Sequence, residues 1–241
     1  MSRIGHIAKA IWQNSQVYAV TCGYAVAASA SLAVSPTGRV YLATARRWAK
    51  DLCAITGLEL SYKETYPIEW DKPFILMSNH SSLLDIPVIY SLIPADLRFL
   101  AKKEIAYVPF LGWSMVLARF IFIDRGDHEK ARRSIDSAAE AVRGGRSIVI
   151  FPEGTRSPDG NLRSFKKGGF VLAIKTGVPV VPAFVSGTHR AMPKDTSVVE
   201  SGPVSLTVGR PIDASRYTLD QKQVLMDDVR AEILRLQSLG S

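Results

Sequence analysis

Beyond Gly57, short apolar runs alternate with longer segments in which apolar residues recur at helical spacing. Several short runs lack strict alternation of apolar and polar positions, which is typical of strands buried on both faces. The predicted strands are 58–62, 74–77, 97–101, 120–123, 147–151, 178–185 and 204–208. The predicted helices are 82–92, 109–117, 129–142, 167–175 and 219–236, with loops at 157–163 and 188–202. This alternation predicts an α/β fold with a mostly parallel central sheet flanked by helices.

The first part of the chain has a different pattern, because no charged residue occurs between Ala10 and Gly38. Its apolar centre, residues 17–34, is long enough to span a bilayer but is diluted by Ala, Ser, Thr and Gly. Three interpretations involve a membrane: a cleaved signal peptide with Ala-Ser-Ala at 28–30, a single transmembrane helix, and a shallowly inserted helix. In the fourth interpretation, this segment and the next helix form a hairpin that packs on the soluble core.

A turn at residues 35–38 would lead from this segment into a second helix over residues 39–55. The cations Arg46, Arg47 and Lys50 lie near Trp48 there, which is typical of the headgroup boundary of a membrane. We therefore expect residues 1–56 to form a membrane-associating helical hairpin and residues 57–241 to form the α/β domain.

The charge balance indicates the kind of partner. Thirty Lys and Arg residues against 22 Asp and Glu give a net charge of +8, and the pI is near 9.6. This surplus favours an anionic partner such as a phospholipid surface, an acidic carrier or a phosphorylated substrate. Nucleic acid is not expected, because only 9% of residues are aromatic and none interleave with Arg as in a base-stacking surface. Two cysteines are too few for a disulfide scaffold, which indicates a compartment that is reducing or at least one that disulfides do not define.

The first candidate site follows the predicted strand 74–77. His80 lies where that strand should end, and Ser81 or Ser82 can cap the next helix. On one continuous helix, His80 and Asp85 would point about 140° apart, at ~100° per residue. They can meet only if His80 lies in the turn before the helix. The Asp85 carboxylate could then accept the Nδ1–H, and Nε2 could take a proton from a hydroxyl.

The second candidate site follows the predicted strand 147–151. Gly154 allows the backbone to approach a ligand closely, and the N–H groups of such a turn can bind an anion. Arg156 can bind phosphate oxygens with its guanidinium fork. Glu153 could orient a hydroxyl or hold Arg156.

Cations follow other predicted strands at comparable positions. Lys102 and Lys103 follow one strand, and Arg125 follows another. Lys166 and Lys167 precede a helix. Together these side chains would form an anion pocket at the strand ends. The remaining histidines have no partner at metal-ligand spacing, so no metal site is expected.

Four blocks in this order resemble the glycerophospholipid acyltransferase superfamily, in particular the 1-acylglycerol-3-phosphate acyltransferases. Residues 79–85 (NHSSLLD) resemble the family's His-x4-Asp motif, and residues 122–125 (FIDR) resemble its second block. Residues 151–157 (FPEGTRS) resemble its third block nearly letter for letter. Residues 178–182 (VPVVP) are the loosest match, to the fourth. The resemblance covers about residues 73–211.

The resemblance implies transfer of a fatty acyl group from acyl-CoA or acyl-carrier protein to the free hydroxyl of a lysophospholipid, most directly 1-acylglycerol-3-phosphate. It implies that His80 is the general base and Asp85 its orienting partner. The implied substrate-binding residues, chiefly for the acceptor phosphate, are Lys102, Arg125, Glu153, Gly154, Thr155 and Arg156.

No cofactor is expected, since a thioester donor is already activated. The expected location is the cytoplasmic face of the inner or plasma membrane, with an anionic phospholipid membrane as a partner. Several alternatives remain open. The acceptor could be glycerol-3-phosphate or a lyso-aminolipid, the chain could be a non-catalytic membrane-binding module of the same fold, or it could be secreted. The backbone groups that would stabilise an oxyanion are not identified by the sequence.

Overall fold

The computed structural model describes residues 3–35, 38–124 and 128–239. The strands are β1 (Leu58–Glu64), β2 (Ile75–Ser78), β3 (Leu97–Lys102), β4 (Ile121–Ile123), β5 (Ser147–Ile150), β6 (Val180–Ser186) and β7 (Gly202–Val208). The α-helices are α1 (Arg3–Val34), α2 (Arg39–Ile55), α3 (Asp85–Leu92), α4 (Leu111–Leu117), α5 (His128–Arg143), α6 (Gly168–Thr176), α7 (Thr188–Ala191) and α8 (Lys222–Leu239). Short 3₁₀-helices cover Lys103–Tyr107, Ala214–Arg216 and Leu219–Gln221.

The strands form one sheet in the order β1-β7-β6-β2-β5-β3-β4. The strands from β6 to β4 are parallel, whereas β7 is antiparallel to β6 and pairs in parallel with β1. Leu76 in the central strand β2 lies opposite Val149 of β5 and Val181 of β6. Every residue of β2 and β5 is buried, which explains why these strands lack alternation in the sequence. The predicted mostly parallel α/β fold is confirmed.

Helices cover both faces of the sheet and bury one core on each. On one face, α2 and α3 pack on side chains that include Leu76, together with Val88 of α3. On the other face, Phe170 of α6 and Ile233 of α8 pack with Ile75. Ile75 and Leu76 reach opposite cores because successive side chains of a strand point to opposite faces.

Helix α2 is a structural part of this α/β unit. Ala49, Leu52 and Cys53 are buried in the core that α2 shares with α3. Arg46 donates hydrogen bonds of 3.1 and 2.8 Å to the carbonyls of Ile93 and Ala95, just beyond the end of α3. The division at residue 56 stays a prediction, and the packing shows that α2 and the strands share one core.

Helix α1 is mostly outside this core. Its segment Ala10–Val34 is, within the part of the chain that the structure describes, the one helix long and apolar enough to cross a membrane. The side-chain amide of Gln13 donates to the carbonyl of Val199 and accepts from its N–H, at 3.0 and 3.3 Å. The predicted N-terminal helical pair is therefore present, and α1 is tied directly to the α/β domain.

Two segments near the sheet edge that carries His80 differ from the sequence predictions. The helix predicted from residue 82 begins at Asp85, because the Asp85 carboxylate binds the N–H groups of Ser81 and Ser82 and holds them in the preceding turn. The predicted loop 188–202 begins with α7. Gly187 turns the chain there at φ +88, and a Cβ at that position would collide with the carbonyl of Pro203.

The contacts of Arg46 generate a prediction about stability. Arg46→Met removes a charged donor from two carbonyls at the end of α3, so we expect the free energy of unfolding to fall by about 1–3 kcal/mol. Lys50→Met, an exposed position on the same helix, should change it by less than about 0.5 kcal/mol. Thermal unfolding in detergent measures both variants. Equal stability of the two would show that these bonds contribute nothing to the docking of α2.

Candidate active site

The carboxyl ends of the parallel strands lie at one edge of the sheet, where ligand sites of such sheets are found. Three adjacent strands, β6, β2 and β5, carry the candidate residues at this edge. His80 follows β2, Glu153 follows β5 and Thr188 follows β6, each within three residues of the strand end. This edge is therefore the candidate active site.

His80 lies in the turn after β2, and Asp85 begins α3, so their side chains meet as the spacing requires. His80 Nδ1 is 2.8 Å from Asp85 Oδ2. Asp85 is 0% exposed, whereas the side chain of His80 is 14% exposed. Because Nδ1 is bound to the carboxylate, the imidazole retains Nε2 to accept or donate a proton at the open side of the site.

The Asp85 carboxylate is surrounded by hydrogen-bond donors. Oδ2 also accepts from the N–H groups of Ser81 and Ser82, at 2.8 and 2.9 Å. Oδ1 accepts from the hydroxyl of Thr188 at 2.5 Å, and Thr188 itself is fully buried. An isolated buried charge is strongly unfavourable, so these donors are what allow an ionised carboxylate at this position.

The loop after β5 fixes the backbone of His80. The His80 N–H donates to Glu153 Oε1 at 2.8 Å, and the His80 carbonyl accepts from the Ser157 N–H at 2.7 Å. The imidazole also stacks on the ring of Phe151, with centroids 4.0 Å apart and planes 13° from parallel. The FPEGTRS block therefore holds the histidine in place through three separate contacts.

Glu153 is a buried link between two loops. Its second carboxylate oxygen accepts from the Arg163 N–H at 3.0 Å, and the residue is 2% exposed. Burial raises the pKa of the Glu153 carboxyl above its ordinary value, and the N–H donors of His80 and Arg163 partly offset this. No hydrogen bond joins Glu153 to Arg156 among the residues described. Since both oxygens bind backbone groups, Glu153 positions His80 and does not face the open side of the site.

The next residues of the block are more exposed. Gly154 has φ +74, a left-handed conformation that favours glycine, and its N–H donates to the carbonyl of Phe151. Thr155 is exposed and Arg156 is half-buried. One guanidinium nitrogen of Arg156 donates to the Lys194 carbonyl at 3.1 Å. A guanidinium has five N–H donors, so this contact orients Arg156 while leaving donors for a phosphate.

The two cations predicted on the neighbouring strands are placed differently. Lys102 ends β3 and is exposed, with its ammonium 3.8 Å from the Glu104 carboxylate. In the described part of the chain, no hydrogen bond or ion pair joins Lys102 to His80, Asp85 or Arg156. Arg125 lies outside the described residues. The roles of Lys102 and Arg125 in binding a phosphate both stay predictions.

The structure adds residues that the sequence analysis did not find. Thr188 was assigned to a loop, and its only sequence signal is that it closely follows a predicted strand. Asn79 was noted only as part of the first block. Its side-chain amide donates to the Val185 carbonyl and accepts from the Val185 N–H, at 2.9 and 2.7 Å, which ties the end of β2 to β6. Sequence alone does not show that these two strands are neighbours.

Within residues 3–35, 38–124 and 128–239, no group of three or more His, Cys, Asp or Glu side chains is placed to hold a metal ion. The Nδ1 atom of His189 is buried without a partner, and its ring packs beside Gly160. The expected absence of a metal or other cofactor stays a prediction.

Comparison with known proteins identifies the family. The acyltransferase family model matches residues 54–186, more than half of the chain. A chloroplastic 1-acyl-sn-glycerol-3-phosphate acyltransferase of Brassica napus is 37% identical over 172 residues, which are 71% of this chain and 48% of that protein. The Saccharomyces cerevisiae 1-acyl-sn-glycerol-3-phosphate acyltransferase is 35% identical over 173 residues, 70% of this chain and 57% of that protein.

A solved structure supports the same conclusion over the full length. The crystal structure of the 1-acyl-sn-glycerophosphate acyltransferase PlsC from Thermotoga maritima matches with a TM-score of 0.83 and 28% identity. The match covers 100% of this chain and 98% of that one. The chain spans about half the length of the first curated relatives it matches. The sequence blocks, the sheet and these matches agree, and the chain belongs to the acyltransferase family.

Proposed function

We propose that this chain transfers a fatty acyl group from a thioester donor, acyl-CoA or acyl-carrier protein, to the free hydroxyl of 1-acylglycerol-3-phosphate. The product would be phosphatidic acid. The observation that carries the proposal is the His80–Asp85 pair at the carboxyl edge of the sheet, with its carboxylate buried and fully supplied with donors. The names of the curated relatives support 1-acylglycerol-3-phosphate as the acceptor.

In the proposed reaction, His80 Nε2 takes the proton from the acceptor hydroxyl as the oxygen attacks the thioester carbonyl. The Asp85 carboxylate stabilises the imidazolium that forms and keeps the ring oriented. The tetrahedral intermediate then collapses, the C–S bond breaks, and the imidazolium returns its proton to the leaving thiolate. The step is redox-neutral, so it needs no redox cofactor. The thioester donor is already activated, and no other cofactor enters the scheme.

The expected contributions to the rate are consistent with these roles of His80, Asp85 and the thioester donor. A positioned general base contributes about 10²–10⁴-fold to the rate. The remaining acceleration comes from orienting the two substrates and from donors to the oxyanion. The contacts that fix His80 from Glu153, Ser157 and Phe151 serve the orientation, because they leave the imidazole little freedom.

The acceptor phosphate is proposed to bind Arg156, with the neighbouring turn around Gly154 and Thr155 close by. The proposal rests on the half-buried guanidinium, held by the Lys194 carbonyl beside the loop that supports His80. Arg125 and Lys102 are proposed as further cations of this site.

We propose that the enzyme works on an anionic phospholipid membrane, at the cytoplasmic face of the inner or plasma membrane. The acceptor is a lipid, so an enzyme held at the surface meets it without extracting it into water. Helix α1 exposes Ile11, Trp12 and Tyr18, and the net charge of +8 favours an anionic surface. Cations near such a surface are worth about 1 kcal/mol each and are screened by salt, whereas inserted apolar side chains resist salt.

The first prediction concerns the catalytic pair. His80→Ala removes the base, so kcat should fall by about 10²–10⁴-fold. Asp85→Asn keeps the shape, and the Thr188 hydroxyl can turn to accept from the new amide, so we expect a large fall in kcat with little change in KM. The exposed Asp96→Asn is the control and should be fully active.

Steady-state kinetics with purified protein in mixed micelles measure these variants. Full activity of His80→Ala would refute the proposed base. Isolation of an enzyme acylated on Ser81 or Ser82 would replace the scheme with a covalent one.

The second prediction concerns the acceptor. The wild-type chain should acylate 1-acylglycerol-3-phosphate in preference to glycerol-3-phosphate and to monoacylglycerol, which lacks the phosphate. Arg156→Ala should raise the KM for the phosphorylated acceptor by about 10- to 100-fold, the worth of a charge-assisted hydrogen bond, with a small effect on kcat. Arg216→Ala, an exposed arginine on a 3₁₀-helix, is the matched control.

A preference for glycerol-3-phosphate would overturn the proposed acceptor while keeping the chemistry. Unchanged acceptor kinetics in Arg156→Ala would move the phosphate site to other cations, with Arg125 and Lys102 tested next. No transfer to any acceptor would favour a non-catalytic membrane module.

The third prediction separates the hydroxyl of Thr188 from its bulk. Thr188→Val keeps the shape but leaves Asp85 Oδ1 without its donor in a fully buried site, so kcat should fall at least ~10-fold at unchanged KM. Thr188→Ser keeps the hydroxyl and should retain most of the activity. Thermal unfolding of both variants controls for folding. A Val variant as active as the wild type, or a Ser variant as impaired as Val, would show that Thr188 only fills space.

A further inference from the structure

The connection between β3 and β4 exposes a cluster of large apolar side chains. It consists of the 3₁₀-helix Lys103–Tyr107, a short turn and α4. The exposed side chains are Tyr107, Val108, Phe110, Trp113, Val116 and Leu117. Four of them are more than half exposed, at 79% for Tyr107, 60% for Leu117, 55% for Trp113 and 51% for Val116. A contiguous apolar surface of this kind marks an interaction site in a folded protein.

This surface is the outer side of a segment whose inner side is already packed. Gly112 is buried, and a Cβ there would collide with the carbonyls of Ile105 and Ala106. The Ser114 hydroxyl donates to the Tyr41 hydroxyl of α2 at 3.0 Å. The inner side of segment 105–117 is therefore packed against the protein. The exposed side chains on its outer side are not part of a hydrophobic core of the described chain.

Helix α4 packs beside α1. Met115 of α4 and Ala28 of α1 belong to one cluster, together with Tyr41 and Leu42 of α2. Elsewhere α1 exposes apolar side chains to the solvent, among them Ile11, Trp12 and Val26. Helix α1 is the segment with the length and composition to enter a membrane. An exposed apolar surface on a helix that packs beside α1 fits the same occupant, a membrane.

The charges around the segment fit a lipid surface. No acidic residue occurs from Ile105 to Arg119. Exposed cations lie at both ends, Lys102 before the segment and Arg119 after it. Apolar and aromatic side chains between flanking cations are typical of a segment that lies in the interface of an anionic leaflet.

We propose that residues 105–117 form a second membrane-contacting element, inserted into the headgroup and upper acyl region of an anionic leaflet beside α1. The segment leaves the sheet at the carboxyl end of β3, the same edge that carries His80 and Arg156. The contact would therefore bring the site edge, and not only the N-terminal helices, to the lipid surface. The inference rests on the proposed membrane association and is independent of the proposed acyl transfer.

The test places an environment-sensitive thiol probe on the full chain. Leu117→Cys carries the probe in a Cys22→Ser background, and Cys53 is buried and stays unlabelled. Val116→Cys is a second position on the same surface. Leu234→Cys, an exposed leucine on α8, is the matched control. The labelled proteins are bound to vesicles of phosphatidylcholine and phosphatidylglycerol, with and without bromine on the acyl chains.

We expect the emission at positions 117 and 116 to shift to the blue on vesicles and to be quenched by the bromines, while position 234 keeps its emission in water. Equal behaviour of positions 117 and 234 would overturn the proposal. A blue shift that follows protein concentration and ignores the bromines would assign the surface to a second copy of the chain. Failure of all labelled chains to sediment with vesicles would refute the membrane association itself, whatever activity they show in micelles.

Discussion

The buried carboxylate of Asp85 is the constraint on which the arrangement of the site depends. A charged side chain that is 0% exposed needs donors on both oxygens, and here they come from the turn after β2 and from the start of α7. The turn after β2 supplies two N–H groups, His80 supplies its ring, and Thr188 supplies a hydroxyl from beyond β6. Thr188 can reach this turn because β6 lies next to β2, with Ser78 opposite Ala183, and runs three residues further to Ser186.

Glu153, which follows β5 and holds His80, is buried at the expense of its ionised form. The pKa of Glu153 is raised, so the folded chain binds more protons than the unfolded chain between the ordinary pKa and the raised one. Any stabilisation from the protonated form is complete below the ordinary pKa and is lost as the pH rises through the raised value. An ionised, buried Glu153 therefore contributes no net stability of this kind near neutral pH. Its two bonds to backbone N–H groups instead fix the position of His80, which is the role a buried carboxylate at this place can serve.

The sequence predicts the features that depend on residues close together along the chain. The runs that form β2 and β5, and the meeting of His80 with Asp85 across a turn, follow from periodicity and spacing over a few residues. Thr188 and the Asn79–Val185 pair depend on β6 lying next to β2, which is a property of strand order across about 100 residues of chain. The apolar pattern of residues 109–117 correctly predicts a helix. It does not predict the exposed face of α4, since side chains that face lipid and side chains that face a core are equally apolar.

Hydrogen bonds and core packing connect the N-terminal helices to the site. Gln13 of α1 holds Val199, in the segment that follows α7. The same segment supplies the Lys194 carbonyl to Arg156 and the Met192 carbonyl to the Ser82 hydroxyl, in the turn that carries His80. Residues 192–199 thus connect the helix proposed to lie in the membrane to the arginine proposed to bind the acceptor phosphate, through hydrogen bonds at Val199 and Lys194. With α2 sharing the core of the sheet, the depth of the helices in the leaflet and the height of the phosphate site above it would be set together. A phosphate site at a set height above the helices would suit an acceptor whose headgroup lies at a constant height in the same leaflet, because the two would already be aligned.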